Sequence, residues 1–192
     1  MAAMPSAGTI ALGGPLAQGA YLFALAWLLA QVEIQIEGAH GWAEKLPTWR
    51  VSKPWLLKLT NGKPITGYHA CLFPFLILIF HLPLLFTGFS RTVEAKILVC
   101  YFLVAFNWDY QWFAWNPAWG TRRFLREPIW WFRTKFLGVP ADYYTGALFV
   151  FLAPWLLNPA SLPEVARLFV VMEALAIVSA GAAAVLVRRA PR

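Results

Sequence analysis

Charge is scarce in this chain. Only 13% of its 192 residues are charged, and no charged side chain lies between residues 2 and 32. Cysteine is scarce too: two residues permit at most one disulfide, which excludes a small disulfide-stapled fold. The first apolar stretch lacks the basic region that begins a signal peptide, so we expect it to be retained. These scarcities, and the lack of any long polar stretch, predict one apolar domain rather than separate soluble units.

Hydrophobic residues make up 60% of the chain and fall into five segments. A helix needs about 20 apolar residues to cross the hydrocarbon core of a bilayer. The segments cover residues 15–36, 66–88, 92–112, 143–157 and 163–187. We predict an all-α fold, a polytopic transmembrane helical bundle with five spans. The fourth segment is short and contains Pro154, so a re-entrant hairpin is the alternative for it.

Basic residues indicate the orientation of this bundle. They concentrate in the loops 38–64 and 116–140 and in the C-terminal tail, which carries Arg188, Arg189 and Arg192. With five spans all three regions fall on one side, and loops rich in Lys and Arg are typically cytoplasmic. We therefore expect an N-terminus outside, a C-terminus in the cytoplasm and a multi-pass protein of the plasma (inner) membrane. A re-entrant fourth segment would instead place the tail outside.

The expected partners are the lipid bilayer, anionic lipid headgroups and other membrane proteins, and no nucleic acid. The net charge of +7 lies in loops between apolar segments, where it suits anionic headgroups better than a nucleic acid. The 11 tryptophans suit membrane–water interfaces. In the first loop, the apolar run 54–59 is expected to lie in the interface, and Asn61-Gly62 after it indicates a turn.

Ionisable residues collect at the predicted cytoplasmic ends of the spans. Glu33, Glu37 and His40 have the spacing i, i+4, i+7, which shares one helical face if the helix persists to Gly38 or beyond. Asp109 ends the third span and His69 begins the second. A charge at the bilayer centre costs at least ~2.5–3.5 kcal/mol, so such residues are usually functional.

These residues suggest two kinds of chemistry. Glu33, Glu37, His69 and Asp109 are candidate acid–base groups. A second set contains candidate ligands for a divalent metal such as iron, manganese or zinc: Glu37, His40, His69 and Asp109. No HExxH or ExxH motif supports a metal. The alternative is that the carboxylates pair with arginines of the loops, for which Arg50, Arg122 and Arg123 are the candidates. If the chain is instead an enzyme, these arginines would hold an anionic headgroup of its substrate.

A further polar pair is predicted in the membrane interior. His81 lies about 10 Å from the outer end of the second span, and Glu173 about 15 Å along the fifth. Similar depths would let the two side chains hydrogen-bond, which would reduce the cost of burying each. Separate backbone or hydroxyl partners are the alternative.

Two stretches, EGAHGWAEKLPTWR at residues 37–50 and WDYQWFAWNP at residues 108–117, carry a resemblance. They resemble segments of small bacterial polytopic integral membrane proteins. The resemblance implies a membrane protein and carries no activity, cofactor or residue role.

Three functions remain open from the sequence. The first is a membrane-embedded enzyme at the cytoplasmic leaflet, using a metal or acid–base groups on a lipid or isoprenoid-type substrate. The second is a non-catalytic subunit or assembly factor of a larger membrane complex, with polar side chains bonding between helices. The third is a small transporter with His81 and Glu173 as a relay.

Overall fold

The structure, a computed structural model, describes residues 14–187, and these are mostly helical. The arginines predicted to mark the cytoplasmic tail, at 188, 189 and 192, lie outside the described residues. A 3-10 turn at Pro159–Ser161 precedes the last helix. The α-helices are α1 (Pro15–Glu37), α2 (Pro54–Leu59), α3 (Gly67–His81), α4 (Leu84–Thr87), α5 (Arg91–Trp115), α6 (Thr121–Arg126), α7 (Ala141–Leu157) and α8 (Leu162–Leu186).

Within the described residues, three helical stretches are long and apolar enough to cross a membrane. They are Pro15–Glu37, Gly67–Thr87 and Pro159–Leu186. The prediction of a mostly helical protein is confirmed, and so is the prediction that it contains helices long and apolar enough to cross a membrane. Helix α7 is apolar but has only 17 residues, and α5 carries charges near both ends. Spans at α5 and α7, and the orientation of the termini, stay predictions.

Local chemistry explains where the helices begin and end. Pro15 stands at the first turn of α1, where its missing N–H costs nothing. The hydroxyls of Thr66 and Ser90 accept hydrogen bonds from backbone N–H groups in the first turns of α3 and α5. Helix α1 ends at Glu37, and the next residue, Gly38, has a φ of 62°, which glycine adopts without steric cost.

Helix α5 is the centre of the bundle. It packs against α1, α7 and α8, and more lightly against α3. Its Leu103 and Phe113 are fully buried, as is Met172 of α8. Gly19 lets α1 approach α8 closely, because a Cβ there would lie 2.5 Å from Cγ1 of Val171. In contrast, four large apolar side chains of α3 are exposed, as expected of a surface facing lipid: Phe75, Ile77, Leu78 and Ile79.

The loops contain short strands, so the all-α prediction needs one correction. In the first loop β1 (Arg50–Val51) pairs antiparallel with β2 (Ile65–Thr66). In the third loop β3 (Lys135–Phe136) pairs with β4 (Val139–Pro140). These strand pairs satisfy backbone groups of the two loops. Two-residue strands leave almost no periodic signal in a sequence.

The two long loops fold together over one end of the bundle, which we call the loop end. It is the end where α1 and α5 finish and α3 and α7 begin. Asn61, in the left-handed conformation at φ 53°, joins the loops: its carbonyl accepts from Arg133 N at 2.8 Å and its Oδ1 from Thr134 N at 2.9 Å. Its Nδ2 donates to Asp142 Oδ2 at 2.7 Å. The loops therefore form one covering layer.

Candidate functional site

A cavity of about 640 Å³ lies at the loop end, between α1, α3, α5 and α7. The four candidate acid–base residues all line it: Glu33, Glu37, His69 and Asp109. They come from three helices, because α1 and α5 end where α3 begins. The cavity is within the size range of small-molecule sites.

Three of these residues form a compact group. Glu33, Glu37 and His69 each offer one ligand atom, and these atoms lie within 4.8 Å of one another. All three residues are buried, with 8%, 7% and 5% of their surface exposed. Ligand atoms around one tetrahedral ion at 2.0–2.2 Å lie roughly 3.3–3.6 Å apart, so side-chain movements of about 1 Å would suffice for shared coordination.

His69 is held on one face and at one nitrogen. Its Nδ1 hydrogen-bonds the Thr66 hydroxyl at 2.8 Å, and its Nε2 lies 4.0 Å from Glu33 Oε1. The indole of Trp42 stacks on the imidazole, with ring centroids 4.0 Å apart and planes at 14°. Metal-binding histidines likewise form a hydrogen bond through the ring nitrogen that does not bind the metal, and this bond fixes the orientation of the ring.

An unusual turn positions Trp42. Trp42 and Ala43 have φ of 56° and 53°, a left-handed conformation that costs roughly 1–2 kcal/mol per non-glycine residue. Two contacts support the turn: the Glu37 carboxylate accepts from the Ala43 N–H, and Trp42 Nε1 donates to the Pro64 carbonyl at 2.7 Å. Local strain that is held in this way is common at functional sites.

The glutamates lack a strong cationic partner. Within residues 14–187, no lysine or arginine nitrogen lies within 4 Å of the Glu33 or Glu37 carboxylate. Tyr68 donates a long hydrogen bond of 3.4 Å to Glu33, and the Trp108 indole N–H lies beside that carboxylate without alignment for a bond. Two buried carboxylates this close repel each other, so a cation or a shared proton would stabilise them.

Asp109 lines the same cavity outside this group. The Tyr143 hydroxyl, from the first turn of α7, donates a hydrogen bond to its Oδ2. Asp109 is near enough to Glu33 and Glu37 to repel them electrostatically, but it is not part of the 4.8 Å group. It therefore faces the same space as a separate carboxylate.

Sequence reasoning missed the cation of the cavity, Lys63. Its ammonium bonds Asp142 Oδ1 at 2.7 Å and lies over the rings of Trp42 and Phe132, 5.0 and 4.2 Å from their centroids. Only 12% of its side chain is exposed. Its place after the Asn61-Gly62 turn was visible in the sequence, but its partner lies 79 residues away.

His40 does not join the group, which corrects its place in the predicted metal set. Helix α1 ends at Glu37, so the register that would carry His40 onto the same face is lost at Gly38. His40 is exposed and its Nδ1 lies 3.4 Å from Glu44 Oε2.

The three candidate headgroup arginines are also outside the cavity lining in the described part of the chain. Arg50 donates to carbonyls of its own loop, including Ala43 and Glu44. Arg123 pairs with Glu127 at 2.6 Å and donates to the Ala118 carbonyl, and Arg122 is exposed. Nor do they neutralise the glutamates: Arg50 and Arg123 stabilise loop backbone instead.

The predicted pairing of His81 with Glu173 is wrong. His81 Nε2 lies 3.1 Å from Glu94 Oε1, whereas Glu173 accepts from Asn107 Nδ2 at 3.1 Å. Glu94 and Asn107 are 13 residues apart on α5, about 20 Å along its axis. His81 and Glu173 therefore lie at different depths in the bundle. Counting residues from the ends of the predicted spans gave them similar depths, because it could not show where α3 and α8 pack along α5.

Lys135 binds the strand β3 of the third loop to the end of helix α6. Its ammonium donates to the carbonyls of Phe124 and Glu127, at the end of α6. Burial lowers the pKa of this ammonium. Lysine at a helix C-terminus meets carbonyls without intrahelical donors, so its role is structural.

Comparison of the chain with known protein families, with curated proteins and with solved structures finds no match. The geometry of the cavity is therefore the basis for the function proposed below.

Proposed function

We propose that this chain is a membrane-embedded enzyme in which Glu33, Glu37 and His69 bind a divalent metal and act on a lipid-type or isoprenoid-type substrate. The observation that carries the proposal is the buried group of two carboxylates and one imidazole within 4.8 Å, without lysine or arginine within 4 Å in the described residues. Oxygen and imidazole ligands suit iron, manganese or zinc.

Asp109 has a different role in this proposal. It faces the cavity from α5, outside the ligand group, and its carboxylate is oriented by the Tyr143 hydroxyl. A positioned carboxylate next to a metal can take a proton from the substrate or return one. The metal would supply Lewis acidity when bound.

The membrane arrangement of the enzyme is part of the proposal. We infer five spans, α1, α3–α4, α5, α7 and α8, with the N-terminus outside and the loop end in the cytoplasm of the inner membrane. Support comes from the packing of α5 and α7 with α1 and α8 and from the basic residues of the covering loops. The metal group would then lie at the cytoplasmic leaflet.

The experiment measures metal bound to the purified full-length protein, after reconstitution with Fe²⁺, Mn²⁺ or Zn²⁺ and removal of free ions. We expect about one tightly held ion per chain. His69→Gln and Glu37→Gln should each lower affinity at least about tenfold, since each removes a ligand. Asp109→Asn should keep the ion.

Matched controls come from the first loop. His40→Gln and Glu44→Gln change an exposed pair of the same residue types and should leave metal content unchanged. Equal loss in His40→Gln and His69→Gln, or no ion in the unaltered protein under any of the three metals, would overturn the metal assignment.

A further inference from the structure

The cavity has a polar end and an apolar end. Its acidic residues and His69 lie within the first or last two turns of their helices, whereas Phe102 and Phe106 line it deeper in the bundle, and Phe73 lies one turn beyond His69. Phe102 precedes Asp109 by seven residues on α5, which is about 10 Å along the helix. The lining therefore changes from carboxylates to aromatic and aliphatic groups in the direction of the hydrocarbon.

The apolar end of the cavity is partly accessible. Phe73, Phe102 and Phe106 are half-buried, like Asp142 at the polar end, whereas Glu33, Glu37 and His69 are buried. Helices α3 and α7 both pack mainly on α5, so the deep part of the cavity lies between these two helices. A ligand with an apolar chain would enter there from the bilayer.

Aromatic residues cover the loop side of the cavity. Trp42, Trp131 and Phe132 line the cavity at the loop end, and Trp131 and Phe132 are buried. Lys63 is fixed between Trp42 and Phe132 by its bond to Asp142. These residues therefore cover most of the polar end, and Asp142, with 34% of its side chain exposed, borders water there.

Charge restricts the ligand's polar group. Four carboxyl groups line the cavity, at Glu33, Glu37, Asp109 and Asp142, against the single ammonium of Lys63. Lys63 is already paired with Asp142. Even with a divalent ion bound, the ionised lining keeps a formal negative charge, and like charges disfavour an anionic headgroup.

Two buried indole N–H groups can serve a neutral group. That of Trp112 has no partner in the described part of the chain, and that of Trp108 lies beside the Glu33 carboxylate without alignment for a bond; both residues line the cavity. The two residues are only 4% and 3% exposed. Buried N–H groups normally have an acceptor, so a ligand oxygen would relieve an existing cost.

We propose, resting on the function proposed above, that the substrate is a single-chain lipid with an uncharged, oxygen-bearing head, taken from the bilayer between α3 and α7. Its head lies among the carboxylates, His69 and the two indoles, and its chain lies along Phe73, Phe102 and Phe106. This excludes a lipid phosphate or isoprenoid phosphate as the preferred ligand.

The test measures binding of two probes of equal chain length, a long-chain alcohol and the corresponding alkyl phosphate, to the purified full-length protein in nanodiscs of neutral lipid. We expect the alcohol to bind at least about tenfold more tightly, since like charges across a site cost one or more factors of ten. Equal or tighter binding of the alkyl phosphate would overturn the neutral-head inference.

A pair of glycine variants tests where the chain lies. A Cβ at Gly146 of α7 would lie 3.2 Å from Cδ1 of Phe106, so Gly146→Leu pushes into the apolar part of the cavity. Gly181 of α8 is exposed and has nothing within 4 Å of such a Cβ, so Gly181→Leu is the matched control. Gly146→Leu should weaken alcohol binding at least about tenfold, and Gly181→Leu should not.

Metal content of the same preparations separates the two proposals. Alcohol binding that is lost in Gly146→Leu while the ion is retained supports the chain site. Alcohol binding in a protein that holds no ion leaves the lipid inference standing and contradicts the metal enzyme. Binding that is equal in Gly146→Leu and Gly181→Leu contradicts the chain site, whatever the metal content.

Discussion

Trp42 lies flat on His69, with ring centroids 4.0 Å apart and an angle of 14° between the planes. The contact joins the first loop to the first turn of α3, and it depends on a left-handed turn at Trp42 and Ala43. Glu37 accepts a hydrogen bond from Ala43 in the same turn. One proposed ligand thus supports the turn that orients another.

The stacking contact should affect metal affinity without supplying a ligand. We expect Trp42→Ala to lower affinity about 10–100-fold, as loss of an outer-shell partner does. Trp42→Phe keeps an aromatic face and loses only the 2.7 Å bond to the Pro64 carbonyl, so it should retain most of the affinity. Isothermal titration with the reconstituted ion measures both. Full affinity in Trp42→Ala would show that stacking does not orient His69.

The interior polar pairs predict a pattern of energetic coupling. Asn107 and Glu173 are hydrogen-bonded, so the double-mutant cycle of Asn107→Leu and Glu173→Leu should give a coupling of about 0.5–3 kcal/mol in the free energy of unfolding in mixed micelles. Glu173→Gln keeps the acceptor and should cost less than Glu173→Leu.

The matched control for that cycle pairs His81→Leu with Glu173→Leu. His81 interacts with Glu94 and with the Ile77 carbonyl, so its loss should add to that of Glu173 within about 0.3–0.5 kcal/mol. A large coupling between His81 and Glu173, with none between Asn107 and Glu173, would contradict the helix positions described here.

The proposed membrane orientation can be tested without an assay of enzymatic activity. Reporter fusions after Lys63, Lys135 and Arg192 should all give cytoplasmic signal, because each follows a region rich in Lys and Arg. A fusion after Ser161, between α7 and α8, should not. A periplasmic signal after Arg192, with cytoplasmic signals after Lys63 and Lys135, would mean that α7 or α8 does not cross.

Local patterns predicted a large part of this protein. Hydropathy alone indicated a helical chain with membrane-spanning segments, because burial in lipid demands long apolar helices. The spacing of Glu33 and Glu37 indicated one face of α1, since the helical repeat is a property of the chain within a few residues. The order of the helices along the chain predicted that α1 and α5 end on the side where α3 begins. His69 and Asp109 line the same cavity on that side.

The tertiary structure decided which side chains meet. Lys63 and Asp142 are 79 residues apart, Asn107 and Glu173 are 66 apart, and no local period connects either pair. His40 is not at the site because α1 ends before Gly38. His81 does not meet Glu173 because of the depth at which α3 packs on α5. Helical periodicity is determined by neighbours within a few residues, whereas the axial position of one helix against another is determined by packing across the whole bundle.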